Sequence, residues 1–255
     1  LFSQDQRPAY DGTITDLVVK GNFEVILFQS DVEDLYIHAP VNIQRNIKSE
    51  CKDGVFTISN NNLTGTPAKL YLVVKDLKSI RATGSVTITT PTNIYTKYLS
   101  VYCSEEVSAN LYISSEDLTF IAQGDGQINV SGEIDTLRLK AEDSSNLTFD
   151  IKSHKVYANM REESEVTFEG SIFKLFSDNY NYSITENTNS VTGTCNINTN
   201  DNSLARIKAE DKLFLHAYGK STIVYKGNGK VETAEKEKKA SIKPESKTKA
   251  LVITK

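Results

Sequence analysis

Ile80, Leu99, Leu118, Leu137, Val156, Leu175, Thr194 and Leu213 lie nineteen residues apart, and all but Thr194 are apolar. A short fixed period of apolar residues restricts a chain to a solenoid, in which each turn buries its core against the next. Counting from Ile80 as zero, the position two later holds Ala82, Val101, Phe120, Leu139, Ala158, Ser177, Asn196 and Leu215. Four later come Gly84, Cys103, Ala122, Ala141, Met160, Asn179, Asn198 and Ala217. Alternate positions on one face are the signature of a strand. A second strand follows in each turn. Its inward columns are Thr90, Ala109, Ile128, Leu147, Val166, Thr185, Leu204, Ile223 and Thr92, Leu111, Val130, Phe149, Phe168, Asn187, Arg206, Tyr225.

Nineteen residues are too few for the helical pairs of all-α repeats, and the Leu and Asn spacing of leucine-rich repeats is missing. Val, Thr, Tyr and Phe occupy the strand positions instead. The period therefore predicts an all-β parallel β-helix of about 19 residues per coil. Eight coils stacked at the usual strand spacing make a rod about 40 Å long. Between 175 and 212 the pattern weakens, because Asn179, Thr185, Asn187 and Asn196 fall where apolar residues are expected. The neighbours Ile184, Cys195 and Ile197 suggest a slip by one residue. Since Leu175 and Leu213 are two full periods apart, the segment reads as two irregular coils of the same rod.

Residues 1–12 read as an N-terminal arm, 13–229 as one β-helix domain and 230–255 as a tail. Within 13–76, alternating apolar residues mark strands around one short helix. The stretch Pro40 to Gly54 carries Ile43, Ile47 and Cys51 every four residues, with Pro40 suited to the first turn and Gly54 to the stop. Such a helix covers an open sheet end. The tail holds eight Lys and four Glu. Glu235 to Lys239 reads as a solvated linker or helix, and Leu251, Val252 and Ile253 as a final strand.

Net charge is −4, which offers nothing to nucleic acid. No apolar run is long enough for a transmembrane segment. Leu1 is not an initiator Met, consistent with a removed export signal. Cys51, Cys103 and Cys195 are widely spaced and odd in number, so they read as free buried thiols rather than a disulfide framework or a metal set.

Several segments carry a family resemblance. They are the opening strand Phe23 to Leu27, Asp53 to Ile58 after the short helix, and Leu70 to Val74 running into Ile80 to Ser85. The closing stretch Ala217 to Gly227 is the last of them. With these, residues 13–229 resemble the putative auto-transporter adhesin, head GIN domain family. The resemblance implies a right-handed β-helix, in keeping with the general hand of parallel crossovers, and an exported location in the periplasm, at the outer membrane surface or outside the cell. It implies no established activity. The family's Ser-Gly-Ser corners persist only as fragments, at Thr83 to Ser85, Gly124 to Gly126, Ser144-Ser145 and Gly219 to Ser221. Glu105-Glu106 and Glu162-Glu163 stand in elsewhere.

No GxSxG, HExxH or phosphate-binding glycine loop occurs. His38, His154 and His216 are scattered, and His216 is expected outside. Stacking puts Glu105, Gly124, Asp143 and Glu162 in one corner column, with Glu106, Asp125, Ser144 and Glu163 beside it. Glu105, Asp125, Asp143 and Glu162 are the candidate ligands for a hard cation such as Ca²⁺. One position after the frame zero, Arg138, Tyr157, Phe176, Cys195 and Phe214 form an outer strip, extended by Tyr102 and Ile121. Tyr102, Tyr157, Phe176 and Phe214 are the candidate contact surface, for a protein, a glycan or a second copy of the chain. Coverage by residues 230–255 is the rival account of that strip. Two functional readings follow: a non-catalytic adhesin-like binding module without cofactor, or a polysaccharide lyase or hydrolase. The second would set the corner carboxylates, Ca²⁺ and the outward Arg138, Lys140 and Arg161 around a substrate.

Overall fold

A computed structural model describes residues 3–6, 13–61 and 65–245. The strands are β1 (Ser3–Gln6), β2 (Asp16–Gln29) and β3 (Asp34–Pro40), followed by the single-turn helix α1 (Val41–Gln44). Next come β4 (Lys48–Lys52), β5 (Val55–Ser59), β6 (Ala68–Val74), β7 (Ser79–Thr89) and β8 (Ile94–Ser104). The long strands β9 (Ser108–Gln123), β10 (Gln127–Ala141), β11 (Asn146–Met160) and β12 (Glu165–Asn179) each wrap most of a coil. The later coils are cut into β13 (Ile184–Asn187), β14 (Val191–Thr199), β15 (Leu204–Lys208), β16 (Lys212–Ala217) and β17 (Thr222–Lys226). β18 (Lys230–Lys236) and β19 (Ser241–Pro244) close the described chain.

From β7 onward every pairing is parallel, which makes the rod a β-solenoid of about nine turns. Registers run in steps of nineteen through the middle: Leu99, Leu118, Leu137, Val156 and Leu175 are successive partners. All five are buried. Across the interior Phe120 meets Phe149 edge-on at 5.8 Å, and Phe149 lies 6.0 Å from Phe168. Burying each such ring is worth about 1.5–3 kcal/mol.

Two departures from the even period have local causes. Ile80 pairs with Val101 rather than in line with Leu99, and Ile88 rather than Thr90 pairs with Ala109. The first coil is two residues longer, because the bend at Pro91 to Asn93 leaves the ladder where proline has no N–H to give. Thr92 is consequently exposed, not inward. The second departure lies between 187 and 195. Leu175 pairs with Cys195, not Thr194, and Cys195 pairs with Leu213, so one coil has twenty residues and the next eighteen. Ile197 replaces Asn196 inside, and Ala205 and Ile207 replace Leu204 and Arg206. The slip and the two irregular coils are thus present. Asn179, Thr185 and Asn187 nonetheless remain inside, where they bond one another and their neighbours.

The helix predicted over Pro40 to Gly54 is confined to Val41–Gln44. From Lys48 the chain is a strand, and Asp53-Gly54, both with positive φ, turn it into an antiparallel hairpin with β5. An Asp-Gly pair between strands is a stronger local signal than a four-residue apolar spacing. The N-terminal end of the rod is closed by antiparallel strands: β3 lies against β6 and β1 against β3. β2 is sandwiched between β5–β6 and β7, so the second half of the cap is made before the main winding begins. At the other end β18 and β19 continue the coil where composition suggests a linker or helix. The strand expected at Leu251 to Ile253 lies outside the described residues.

Candidate functional site

Each coil turns one corner through a left-handed residue, joined at Asn181 by a second, Tyr182. Gly21, Gly84, Glu105, Gly124, Asp143, Glu162, Asn181, Asp201 and Gly219 all have φ between +55° and +113°. This corner is favoured by Gly, Asn and Asp and is costly for Glu. Two residues past it stands a column of buried serines that the sequence reading missed. Ser164, Ser183, Ser203 and Ser221 each reach a backbone carbonyl of the preceding coil. Their near-nineteen spacing with Ser145 was the available signal.

The corner does bring together part of the acidic column. The Asp143 carboxylate accepts the Gly124 N–H at 3.1 Å, and its hydrogen bond and charge push the Glu162 carboxyl above the usual range. Glu105 stacks under Gly124, and Asp125, one position on, is exposed. Among the described residues no three His, Cys, Asp or Glu side chains converge as metal ligands. The outward basic groups are occupied locally: Arg138 pairs with Asp117, Lys140 with Glu142 at 2.9 Å, and Arg161 bonds Asn159 and lies over the Tyr180 ring.

The outer strip is shorter than its sequence pattern. Tyr157 and Phe176 stack at 5.0 Å with 11° between planes. Asn196 then separates Phe176 from Phe214, because the slip turns Cys195 inward. Tyr102 and Ile121 stand in the neighbouring column. The Tyr102 hydroxyl donates to Gln123 at 2.8 Å, and Gln123 donates to Glu142 at 2.6 Å. That contact and the Lys140 ammonium hold the Glu142 carboxyl below its ordinary range, with the lysine the larger cause. Tyr102 is therefore the start of a polar chain, not part of an apolar row. Described residues 230–245 stack on the end of the rod instead of covering the strip.

One concavity was not anticipated. A groove of about 1100 Å³ runs along the second corner of the coil, from β8 to β14. Its floor is the row Thr96, Ser115, Ile134, Ser153 and Ile172, with Thr96, Ser115 and Ile134 paired in register and Ser153 paired with Ile172. Tyr95, Ser114, Glu133, Lys152, Ser171 and Val191 form one wall. Lys97, Glu116, Asp135, His154, Phe173 and Gly193 form the other. Gly132 makes the bend at φ +138°, where an added Cβ would sit 2.0 Å from the Ile113 carbonyl oxygen. Tyr95 is 66% and Phe173 50% exposed, although both belong to ordered strands. The Gln29 side chain clamps the Tyr95 backbone by accepting its N–H at 2.7 Å and donating to its carbonyl at 2.8 Å. His154 stacks on Phe173 at 4.9 Å. Lys152 pairs with Glu133 at 3.3 Å and Lys97 with Glu116 at 3.8 Å.

Elsewhere, burial pushes the thiols of Cys103 and Cys195 up to about 12, which leaves them chemically quiet. Cys51 is half-buried, and none of the three forms a disulfide. No helix of the described residues is long and apolar enough to cross a membrane.

Three solved structures share this fold over nearly their whole length. A putative adhesin from Parabacteroides merdae is 15% identical with a TM-score of 0.69, covering 96% of each chain. A putative adhesin from Parabacteroides distasonis is 17% identical with a TM-score of 0.69, covering 95% of this chain and 96% of its own. A putative lipid binding protein from Parabacteroides distasonis is 13% identical with a TM-score of 0.67, covering 96% and 97%. No curated protein matches the chain. The profile described as "Putative auto-transporter adhesin, head GIN domain" matches residues 14–149 and again 135–229. With the match spanning all nine of these corners, the chain belongs to the auto-transporter adhesin, head GIN domain family.

Proposed function

We propose that the chain is a non-catalytic, exported adhesin-like module that holds its partner along the side of the rod. Family membership and the shared fold support an adhesin-like surface protein. The observation that carries the side-face reading is the groove, six rungs long, with exposed aromatic side chains on both walls and the Tyr157–Phe176 stack on the adjoining facet. In a solenoid the flanks have no free backbone edge, since every strand is paired above and below. Recognition on a flank must come from side chains, and a regular scaffold holds these in fixed rows. Protein and glycan partners both suit such a face; the adhesin names carried by the family and its structural relatives favour an extracellular surface as the source.

A glycan array and a sizing column test this together. Wild type is expected to retain immobilised glycan or form a defined oligomer. Replacing Tyr157 and Phe176 by Ser, or Tyr95 and Phe173 by Ala, is expected to abolish one of these. If both pairs of variants behave as wild type in both assays, the flank is not a functional surface.

A further inference from the structure

We infer that the groove binds an extended, uncharged glycan chain, with Tyr95 on its first rung and the His154–Phe173 pair on its fourth and fifth stacking on sugar rings. The inference rests on the side-face reading above and adds the site and the ligand class.

Three features of the groove carry it. The first is spacing. Tyr95 stands on one rung and Phe173 four rungs further along, about 19 Å at the usual strand separation. Each rung advances by close to the length of one pyranose unit in an extended chain, so a glycan laid along the groove meets an equivalent position at every ring.

The second feature is the chemistry of the walls. Aromatic faces pack against the apolar faces of sugar rings, while neighbouring carboxylates and ammonium groups bond the hydroxyls around the ring edge. Both kinds of group line this groove, with Tyr95 exposed on its first rung and Phe173 half-exposed on its fifth. Their positions are fixed beforehand: Gln29 holds the Tyr95 backbone, and His154 backs the Phe173 ring. Little ordering entropy is left to be lost when a ligand binds.

The third feature is charge. Lys97 and Lys152 face Glu116, Glu133 and Asp135 along the groove, and each lysine is paired with a glutamate one coil away. No surplus of positive charge remains to hold a polyuronate or sulfated chain, and the extra carboxylate repels one. A peptide strand is disfavoured for a separate reason: the strands on either side of the groove are already paired with the coils above and below and present no free edge for strand addition.

The test is calorimetric titration of the full chain with neutral β-linked oligosaccharides (gluco-, xylo-, manno- and N-acetylglucosamine series) of two to eight units. At least one series is expected to bind, with affinity rising up to four or five units and then levelling. Tyr95→Ala and Phe173→Ala are each expected to weaken the longest ligand about tenfold. Both side chains are exposed, and circular dichroism checks that each variant keeps its fold. Tyr218→Ser, a substitution of a half-exposed residue outside the groove, is expected to leave this binding unchanged. Absence of binding across all neutral series overturns the proposal, as does affinity independent of length. Tight binding of polygalacturonate that is lost in Tyr95→Ala would overturn the uncharged assignment while leaving a flank-binding module. Glycan binding lost in Tyr157→Ser but kept in Tyr95→Ala would move the site out of the groove and leave the side-face reading standing.

Discussion

The hydroxyl of Ser183 donates to the carbonyl oxygen of Met160, one coil earlier, at 3.2 Å, while it accepts the N–H of Tyr180 at 3.1 Å. Ser183 is fully buried, and its counterparts Ser164 and Ser203 repeat the arrangement. Each serine therefore ties its own turn closed and bolts that turn to the one before it. Ser183→Ala removes both hydrogen bonds and is expected to cost about 1–3 kcal/mol, at about 1 kcal/mol net for each intramolecular hydrogen bond. Ser183→Val removes the same bonds and forces two extra methyl groups into a close-packed corner, so it should cost about 1–3 kcal/mol more. Urea unfolding of the two variants checks both values; equal midpoints for wild type and Ser183→Ala would show the column to be filler.

A second relationship at the same corner makes stability depend on pH. Glu162 lies one coil above Asp143, both at φ +59°, and the neighbouring carboxylate raises the Glu162 pKa, through hydrogen bonding first and charge second. A carboxyl raised in the folded state binds more protons there than in the unfolded chain. Its contribution to stability is therefore present at acid pH and is lost as pH rises from the ordinary glutamate value through the folded one. Glu162→Gln is expected to raise the neutral-pH Tm and to flatten the change in Tm between pH 4.5 and pH 7.5. Glu162→Gly should raise it further, because glycine also relieves the left-handed backbone. Differential scanning calorimetry at the two pH values decides; an unchanged pH slope in Glu162→Gln would mean the two carboxyls titrate independently.

The architecture was legible because a solenoid writes its core into the sequence once per turn. Leu118, Leu137 and Val156 sit one above the other, as their spacing requires. What the spacing hid has physical causes. Asn179, Thr185 and Asn187 look like breaks in the pattern, yet they are buried in two hydrogen-bonded clusters, Asn179–Ser177–Thr185 and Asn187–Ser190–Thr192, that offset the penalty of an inward polar side chain. The extra residues at Pro91 and near Cys195 displace one frame against the next, so columns drawn through them mix inward and outward positions. The acidic corner and the Tyr157–Phe176 contact could be read from arithmetic, since both are equal positions in successive turns. The groove could not. Tyr95 and Phe173 stand on opposite walls, four coils and two positions apart, and their row-mates Ser114, Glu133, Lys152 and Ser171 have no common chemistry. Concavity comes from the angle the chain turns at this corner, and a period in hydrophobicity carries no trace of that angle.

The three cysteines offer a direct probe of the core. Cys103 and Cys195 point into the interior with thiols pushed up to about 12 by burial, whereas Cys51 is half-buried in the terminal hairpin. Alkylation needs both thiolate and access. Iodoacetamide at pH 8 is expected to label Cys51 alone in the native protein and all three in guanidinium. Rapid native labelling of Cys195 would place it on the outer face, as the uninterrupted nineteen-residue frame would have it, and would remove the slip on which the interruption of the aromatic strip depends.

That interruption leaves Tyr157 and Phe176 as an isolated stack, and its energetic and binding roles can be separated. The rings lie 5.0 Å apart and nearly parallel, and Tyr157 is 40% exposed. Exposure limits what the contact adds to folding, so a double-mutant cycle of Tyr157→Ser and Phe176→Ser is expected to give a coupling of about 0.5 kcal/mol, the lower end for aromatic pairs. Loss of the whole stack should therefore lower Tm by only a few degrees. A contact surface predicts a larger effect elsewhere: the double variant should change the sedimentation profile or the retained glycan while its unfolding curve hardly moves. A coupling several times larger, with sedimentation and glycan retention both unchanged, would instead assign the stack to holding adjacent coils in register, and the flank's recognition would then fall to the groove alone.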